Sequence, residues 1–181
     1  WLWDGSNWTP ATTAIAPSPR YSARMVYDRR RSRTVLFGGA TSSSAHFQDT
    51  WEWTGTSWAN VTPAASPSAR EVHCLAYDAL HGVTVLFGGA STTVSHMADT
   101  WAWDGSTWQQ QFPQISPPGR QGAAMVYDES LGRIVLFSGI GFPHPTSLID
   151  TWEWDGAHWQ QRLPNQHPST RYAHGMVYVR S

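Results

Sequence analysis

Apolar residues come in short runs along this chain, separated by polar and glycine-bearing turns, and nowhere at the spacing of a helix. One run reads Met25-Val26-Tyr27 and is closed by Asp28; Met125-Val126-Tyr127 is closed in the same way by Asp128. A second run, Val35-Leu36-Phe37, is apolar at every position, as a strand covered on both faces must be. It ends in Gly38-Gly39, which marks a sharp turn or the close approach of a neighbour. A third segment, Asp49-Thr50-Trp51-Glu52-Trp53, alternates, so its two indoles share one face of a strand. Turns of the Asp104-Gly105 and Asp155-Gly156 kind follow, which suit tight hairpins. A fourth segment starts at Trp58, Trp108 or Trp159 and runs into a connector rich in proline. Proline is tolerated at a sheet edge and not in its middle, so this strand is predicted to be outermost.

The four-strand unit recurs along the whole chain. Trp3, Trp53, Trp103 and Trp154 stand 50, 50 and 51 residues apart, and Arg20, Arg70, Arg120 and Arg171 keep the same spacing. The extra residue falls between Gly139 and Asp150, in a predicted loop. Repeated four-stranded units of this length are the signature of a β-propeller. The glycine doublet, the Asp-Thr-Trp-x-Trp strand, the following Trp and the Arg that opens each unit resemble the kelch-repeat family, in its Trp-rich bacterial form. Ser138 in place of a doublet glycine and Thr54 in place of a turn Asp depart from the pattern.

The resemblance implies an all-β, kelch-type propeller of about 3.5 four-stranded antiparallel blades, whose strands run a to d from the axis outward. Residues 1–19 are expected to give strands c and d of a partial blade. Residues 20–69, 70–119 and 120–170 give whole blades, and 171–181 give strand a of a next one. No strand b is left to complete a blade from the two ends, and an open arc leaves unpaired edges. The expectation is a segment of a longer ring, completed by further blades of the same chain or by other copies or subunits.

Composition narrows the function classes. The formal net charge is −1 over 181 residues, with a charged fraction of 14%, so no global field recruits nucleic acid or an anionic membrane. All basic residues are Arg. Cys74 is the single cysteine, which excludes an internal disulfide and a CxxC-type metal site. No apolar stretch approaches the ~20 residues of a membrane-spanning helix. The chain opens at Trp1 with neither Met nor a signal-like segment, which suggests a processed or trimmed product, expected outside the cell or in the periplasm. The 12 Trp fall at equivalent positions in each repeat, which points to packing and leaves no surplus indole for stacking a sugar.

Four sets of residues are candidates for binding. Arg20, Arg70, Arg120 and Arg171, with Asp49, Asp99 and Asp150, form either repeated ion pairs or a guanidinium ring at an anion- or peptide-binding mouth. His46, His96 and His144 occupy the loops between strands b and c, together with Phe142. His73 and His174 fall on strand a. The cluster Arg29-Arg30-Arg31-Ser32-Arg33 breaks the repeat and is an alternative contact loop. No metal site is expected, because loop tips on separate blades do not readily bring donors to the ~2.0–2.1 Å that zinc requires.

Enzyme readings find little support. Copper oxidases with kelch repeats use a Cys–Tyr cofactor, whereas Cys74 has Arg24, Ala124 and Gly175 as counterparts and reads as a filler of a small pocket. The chain is therefore expected to be a non-enzymatic protein-binding or scaffolding module without a cofactor. The alternatives are an extracellular carbohydrate-binding propeller, or a non-catalytic stretch of a larger kelch enzyme. The loops at 40–48, 90–98 and 140–149 vary most between repeats, so their face is where a partner is expected.

Overall fold

The computed structural model describes residues 1–141 and 146–180, with Thr146 described by its backbone only. Phe142 and His144 lie outside the described residues. Every regular element among the described residues is a strand.

The chain opens with a hairpin of β1 (Leu2–Trp3) and β2 (Trp8–Thr9). The first four-stranded sheet takes β3 (Arg24–Asp28), β4 (Arg33–Phe37), β7 (Thr50–Trp53) and β8 (Trp58–Asn60), with the small hairpin β5 (Ala40–Ser42) and β6 (Ala45–His46) inside its loop. The second sheet is β9 (Cys74–Asp78), β10 (Val83–Phe87), β11 (Thr100–Trp103) and β12 (Trp108–Gln111). After β13 (Arg120–Gln121), the third sheet joins β14 (Ala124–Asp128) and β15 (Arg133–Phe137) to β18 (Thr151–Trp154) and β19 (Trp159–Arg162). The loop of this third sheet holds β16 (Ile140–Gly141) and β17 (Thr146–Ser147). Each four-stranded sheet is antiparallel and keeps sequence order from the inner strand outward, so the three are propeller blades.

The core lies between the blades. Val35 and Phe37 leave the first sheet on the face that meets Leu75, Leu86, Trp103 and Trp108 of the second. Phe87 and Val85 leave the second on the face that meets Ile134, Leu136, Trp154 and Trp159 of the third. The all-apolar run of β4 is thereby buried on both faces, as its composition requires.

Three features go beyond the repeat pattern. The loops between strands b and c are tied to the segment before strand a, through Tyr21 paired with Ala40, Glu71 with Ala90, and β13 with β16. Ser/Thr-rich composition hides this pairing, because it carries no alternation of apolar and polar residues. Next, Ser22, Val72, Gly122 and Ala173 all have positive φ at equivalent places. They form a collar in which Val72 N–H donates to Ser22 O, Gly122 N–H to Val72 O and Ala173 N–H to Gly122 O, each across a blade boundary. Finally, residues 171–181 were expected to run as the inner strand of a further blade, yet the described part, 171–180, forms no strand. Strand geometry needs a laddered neighbour, and none of the described strands pairs with this segment.

Candidate functional site

The loop face is braced from beneath by one arrangement used three times. Arg70 Nη1 donates to Asp99 Oδ1 at 2.7 Å and to Gly88 O at 3.0 Å, while Nη2 donates to Asp99 Oδ2 at 2.7 Å and to Ser68 Oγ at 3.0 Å. Its Nε donates to Ser68 O, so every guanidinium N–H is engaged. Arg20 makes the same five bonds to Ser18, Gly38 and Asp49, and lies over the Phe47 ring. Arg120 holds Asp150 in the same bidentate way. The spare oxygen side of each carboxylate accepts an indole N–H, from Trp51, Trp101 and Trp152. Burial alone would push these carboxyls up, but the guanidinium and the indole outweigh it and hold Asp49, Asp99 and Asp150 below the ordinary carboxylate range.

These arginines therefore brace the loops and do not present a ring of open guanidinium groups. Arg171 is the exception, because no carboxylate pairs with it among the described residues. The doublet glycine above each brace is fixed by close approach. A Cβ on Gly38 or Gly88 would lie 2.6 Å from the carbonyl oxygen of Arg70 or Arg120. Ser138 takes this place in the third sheet at φ 63°, and its hydroxyl accepts the Arg171 N–H and stands within donating distance of Arg171 O and Leu148 O, one of which takes its single proton.

The two described loop histidines, His46 and His96, meet different neighbours. His46 is turned inward, its side chain almost wholly buried, with Nε2 3.5 Å from Glu71 of the next blade. His96 stands against Ser95 Oγ at 3.0 Å. No cluster of three or more His, Cys, Asp or Glu side chains able to hold a metal occurs among the described residues. What the loops do form is a groove of about 450 Å³ between the first and second blades, with Ser44, Ser91, Thr92, Thr93, Val94 and Met97 on its walls. His46, which the sequence reading named, lines the groove as well; the hydroxyl-bearing residues were not named, and their signal was the Ser/Thr run itself, at 41–44 and 91–93.

On the opposite face, Arg29, Arg30 and Arg31 reach other blades. Arg29 Nη1 donates to Glu129 Oε1 at 2.7 Å, from the first blade to the third, and Arg180 donates to the same carboxylate. Arg31 bridges Asp28 and Glu52, and it packs so closely on Gly105 that a Cβ there would lie 2.5 Å from its guanidinium carbon. Arg30 presses on Gly82 in the same manner. Arg33 Nη1 donates to Ser32 O. Arg29 and Glu129 flank an axial channel of about 440 Å³ whose wall carries Met25, Tyr27, Tyr77, Met125 and Tyr127.

Two buried groups belong to neither face. His73 is sealed against Phe37, and burial, then the charges of Arg70 and Arg24, pushes its pKa well below the usual imidazole range. Burial likewise pushes the Cys74 thiol up to about 12, so it is unreactive; its Sγ donates to Ala123 O.

The sequence profile of the KLHDC2/KLHL20/DRC7 Kelch-repeats domain matches residues 3–181. No curated protein matches the chain. Kelch propellers commonly mediate protein interactions and are generally non-catalytic. With a profile match over nearly its full length and blades braced by one repeated Arg–Asp–Trp arrangement, this chain belongs to the kelch-repeat family.

Proposed function

We propose that this chain is a non-catalytic protein-binding module whose contact surface is the loop face, centred on the groove between the first and second blades. The observation that supports this reading is the contrast in that face: loops of unlike sequence stand on a repeated bidentate Arg–Asp brace, with Arg20 and Arg70 saturated on either side of the groove. Rigid support under variable loops lowers the ordering cost of binding. The groove offers hydroxyls from Ser44, Ser91, Thr92 and Thr93 beside an exposed Val94, which suits an uncharged polypeptide segment with a small apolar side chain.

The test is selection of peptides from a displayed library on the immobilised chain. Peptides of this composition should be enriched, and Thr93→Arg with Val94→Asp should weaken them at least tenfold. The variant Arg29→Ser, Arg30→Ser, Arg31→Ser and Arg33→Ser should bind them as the parent does. Loss of binding in the arginine variant alone would move the contact surface to the opposite face.

A further inference from the structure

The junction between the first and second blades and the junction between the second and third are built alike. Trp108 lies edge-on to Phe37 and donates to Thr50 Oγ1, and Trp159 stands in the same way to Phe87 and Thr100. They differ at one buried place. His73, at the entry to β9, is 0% exposed, and its ring is edge-on to Phe37 with centroids 5.5 Å apart. At the next junction the equivalent residue is Ala123, packed in the cluster that holds Phe87.

The corner around His73 has no place for a second ring proton. Neither ring nitrogen finds a hydrogen-bond partner among the described residues. The glycine doublets close over it: a Cβ on Gly38 would lie 3.1 Å from its Cε1, and one on Gly89 would lie 2.9 Å from its Cβ. The charges that act on it are the guanidiniums of Arg70 and of Arg24 on β3, both of which repel an imidazolium. Asp99, the carboxylate of the same brace, is already held by Arg70, and Glu71 lies beside His46. The neighbouring Cys74 thiol, pushed up to about 12 by burial, offers no anion. An imidazolium here is desolvated, unpaired and repelled, so it is accommodated only when the two blades part.

The ties that must then break are close by. Gly39 N–H donates to Arg70 O, Arg70 N–H to Phe47 O, and Val72 N–H to Ser22 O, all across this junction. The same ties hold the groove together, since Ser44 and His46 line it from the first blade while Ser68 and Ala69 line it from the second. We propose that this junction is an acid-operated release: protonation of His73 breaks the ties, separates the walls of the groove and frees the polypeptide segment bound between them. The release rests on the loop-face reading, whereas the opening of the junction does not. At the second junction Gly89 donates to Arg120 O, Arg120 to Met97 O and Gly122 to Val72 O. Ala123 leaves those ties indifferent to acid.

Hydrogen exchange on the ligand-free chain tests the opening. A proton taken up only on opening raises the opening constant by up to about tenfold per pH unit below about pH 6.5. From about pH 7 to about pH 5, the opening constants of the Gly39, Arg70 and Val72 amides should therefore rise at least tenfold over those of Gly89, Arg120 and Gly122. His73→Leu, which fills the corner without a titrating group, should abolish the difference. Peptides selected on the parent chain at neutral pH should leave it at least tenfold faster at about pH 5, and should leave His73→Leu no faster. Peptides that do not bind at neutral pH, or that Thr93→Arg with Val94→Asp leaves bound, would overturn the loop-face reading, and with it the release. Equal opening at the two junctions, a difference that survives His73→Leu, or groove-bound peptides that stay bound in acid would overturn the proposal while leaving that reading intact.

Discussion

The loop face and the hairpin face of this propeller both carry arginines, and the two sets behave differently. Arg20, Arg70 and Arg120 recur at the repeat spacing, sit under the loops, and each holds its own blade's Asp in a bidentate grip. Arg29, Arg30 and Arg31 break the repeat, sit in one hairpin, and touch the third and second blades. Periodicity thus marks arginines that build each blade, while aperiodicity marks those that tie unlike blades together. Arg31 lies between the two kinds, since Glu52 accepts both its guanidinium and the buried indole of Trp103.

The sharpest way to break this contrast is to remove one periodic arginine. Arg70 is 1% exposed, so Arg70→Ala removes its donors from the Gly88 carbonyl and Ser68 and leaves Asp99 with the Trp101 indole alone among its side-chain donors. Removing one partner of a buried pair costs about 3–5 kcal/mol, and the lower end applies because 23% of the Asp99 side chain stays in water. Urea melts should therefore show a loss near 3 kcal/mol. An unchanged midpoint would mean that the brace contributes geometry without stability.

Acid sharpens the same comparison through His73, which the braced side holds neutral. Its folded-state pKa lies well below 6.5, so below pH 6.5 the unfolded chain binds more protons than the folded one. Its contribution to stability is complete above about pH 6.5 and is lost as the pH falls from there toward the folded-state value. The slope for one proton reaches at most about 1.4 kcal/mol per pH unit. His73→Leu should flatten the stability profile in that window. A His73→Leu profile that overlays the parent's would assign the acid sensitivity elsewhere.

Smaller in size is the effect of the collar. Val72 is a β-branched residue at φ 49°, where the next blade has Gly122 at φ 66°. A left-handed conformation costs an L-residue about 1–2 kcal/mol, and glycine gives back part of this gain in lost chain entropy. Val72→Gly should leave a net stabilisation of about 0.5–1 kcal/mol, while Gly122→Val should destabilise. Opposite signs from a matched pair of substitutions are hard to obtain from any cause other than the backbone.

How much was legible beforehand follows from the same distinction. The strands, their order and the burial of Val35-Leu36-Phe37 follow from alternation and the fifty-residue period, which one chain displays several times. The Arg–Asp candidates were visible as repeated types, but their saturation was not, because it depends on carbonyls such as Gly38 O and Gly88 O that sequence does not name. The collar was hidden for the same reason: Ser22, Val72, Gly122 and Ala173 share a backbone angle and no side-chain chemistry. His46 was legible as a loop residue and lines the groove, but its approach to Glu71 of the neighbouring blade was not legible. Contacts between blades are long-range, and the period gives their count without their partners.

The smallest expected effect concerns Arg29, and it is informative because it is small. The Arg29–Glu129 bond joins the first blade to the third across the channel mouth, so on a diagram it looks like a strut closing the arc. Its arginine side chain is half exposed, and Glu129 also accepts from Arg180, so the carboxylate keeps a cation when Arg29 is removed. Exposed ion pairs gain little over their separate hydration and are screened further by salt. Arg29→Ser should therefore leave the melting midpoint unchanged at physiological salt, in contrast to Arg70→Ala. If instead the midpoint falls as far as it does for Arg70→Ala, the aperiodic arginines hold the arc together, and the division between blade-building and blade-tying arginines fails.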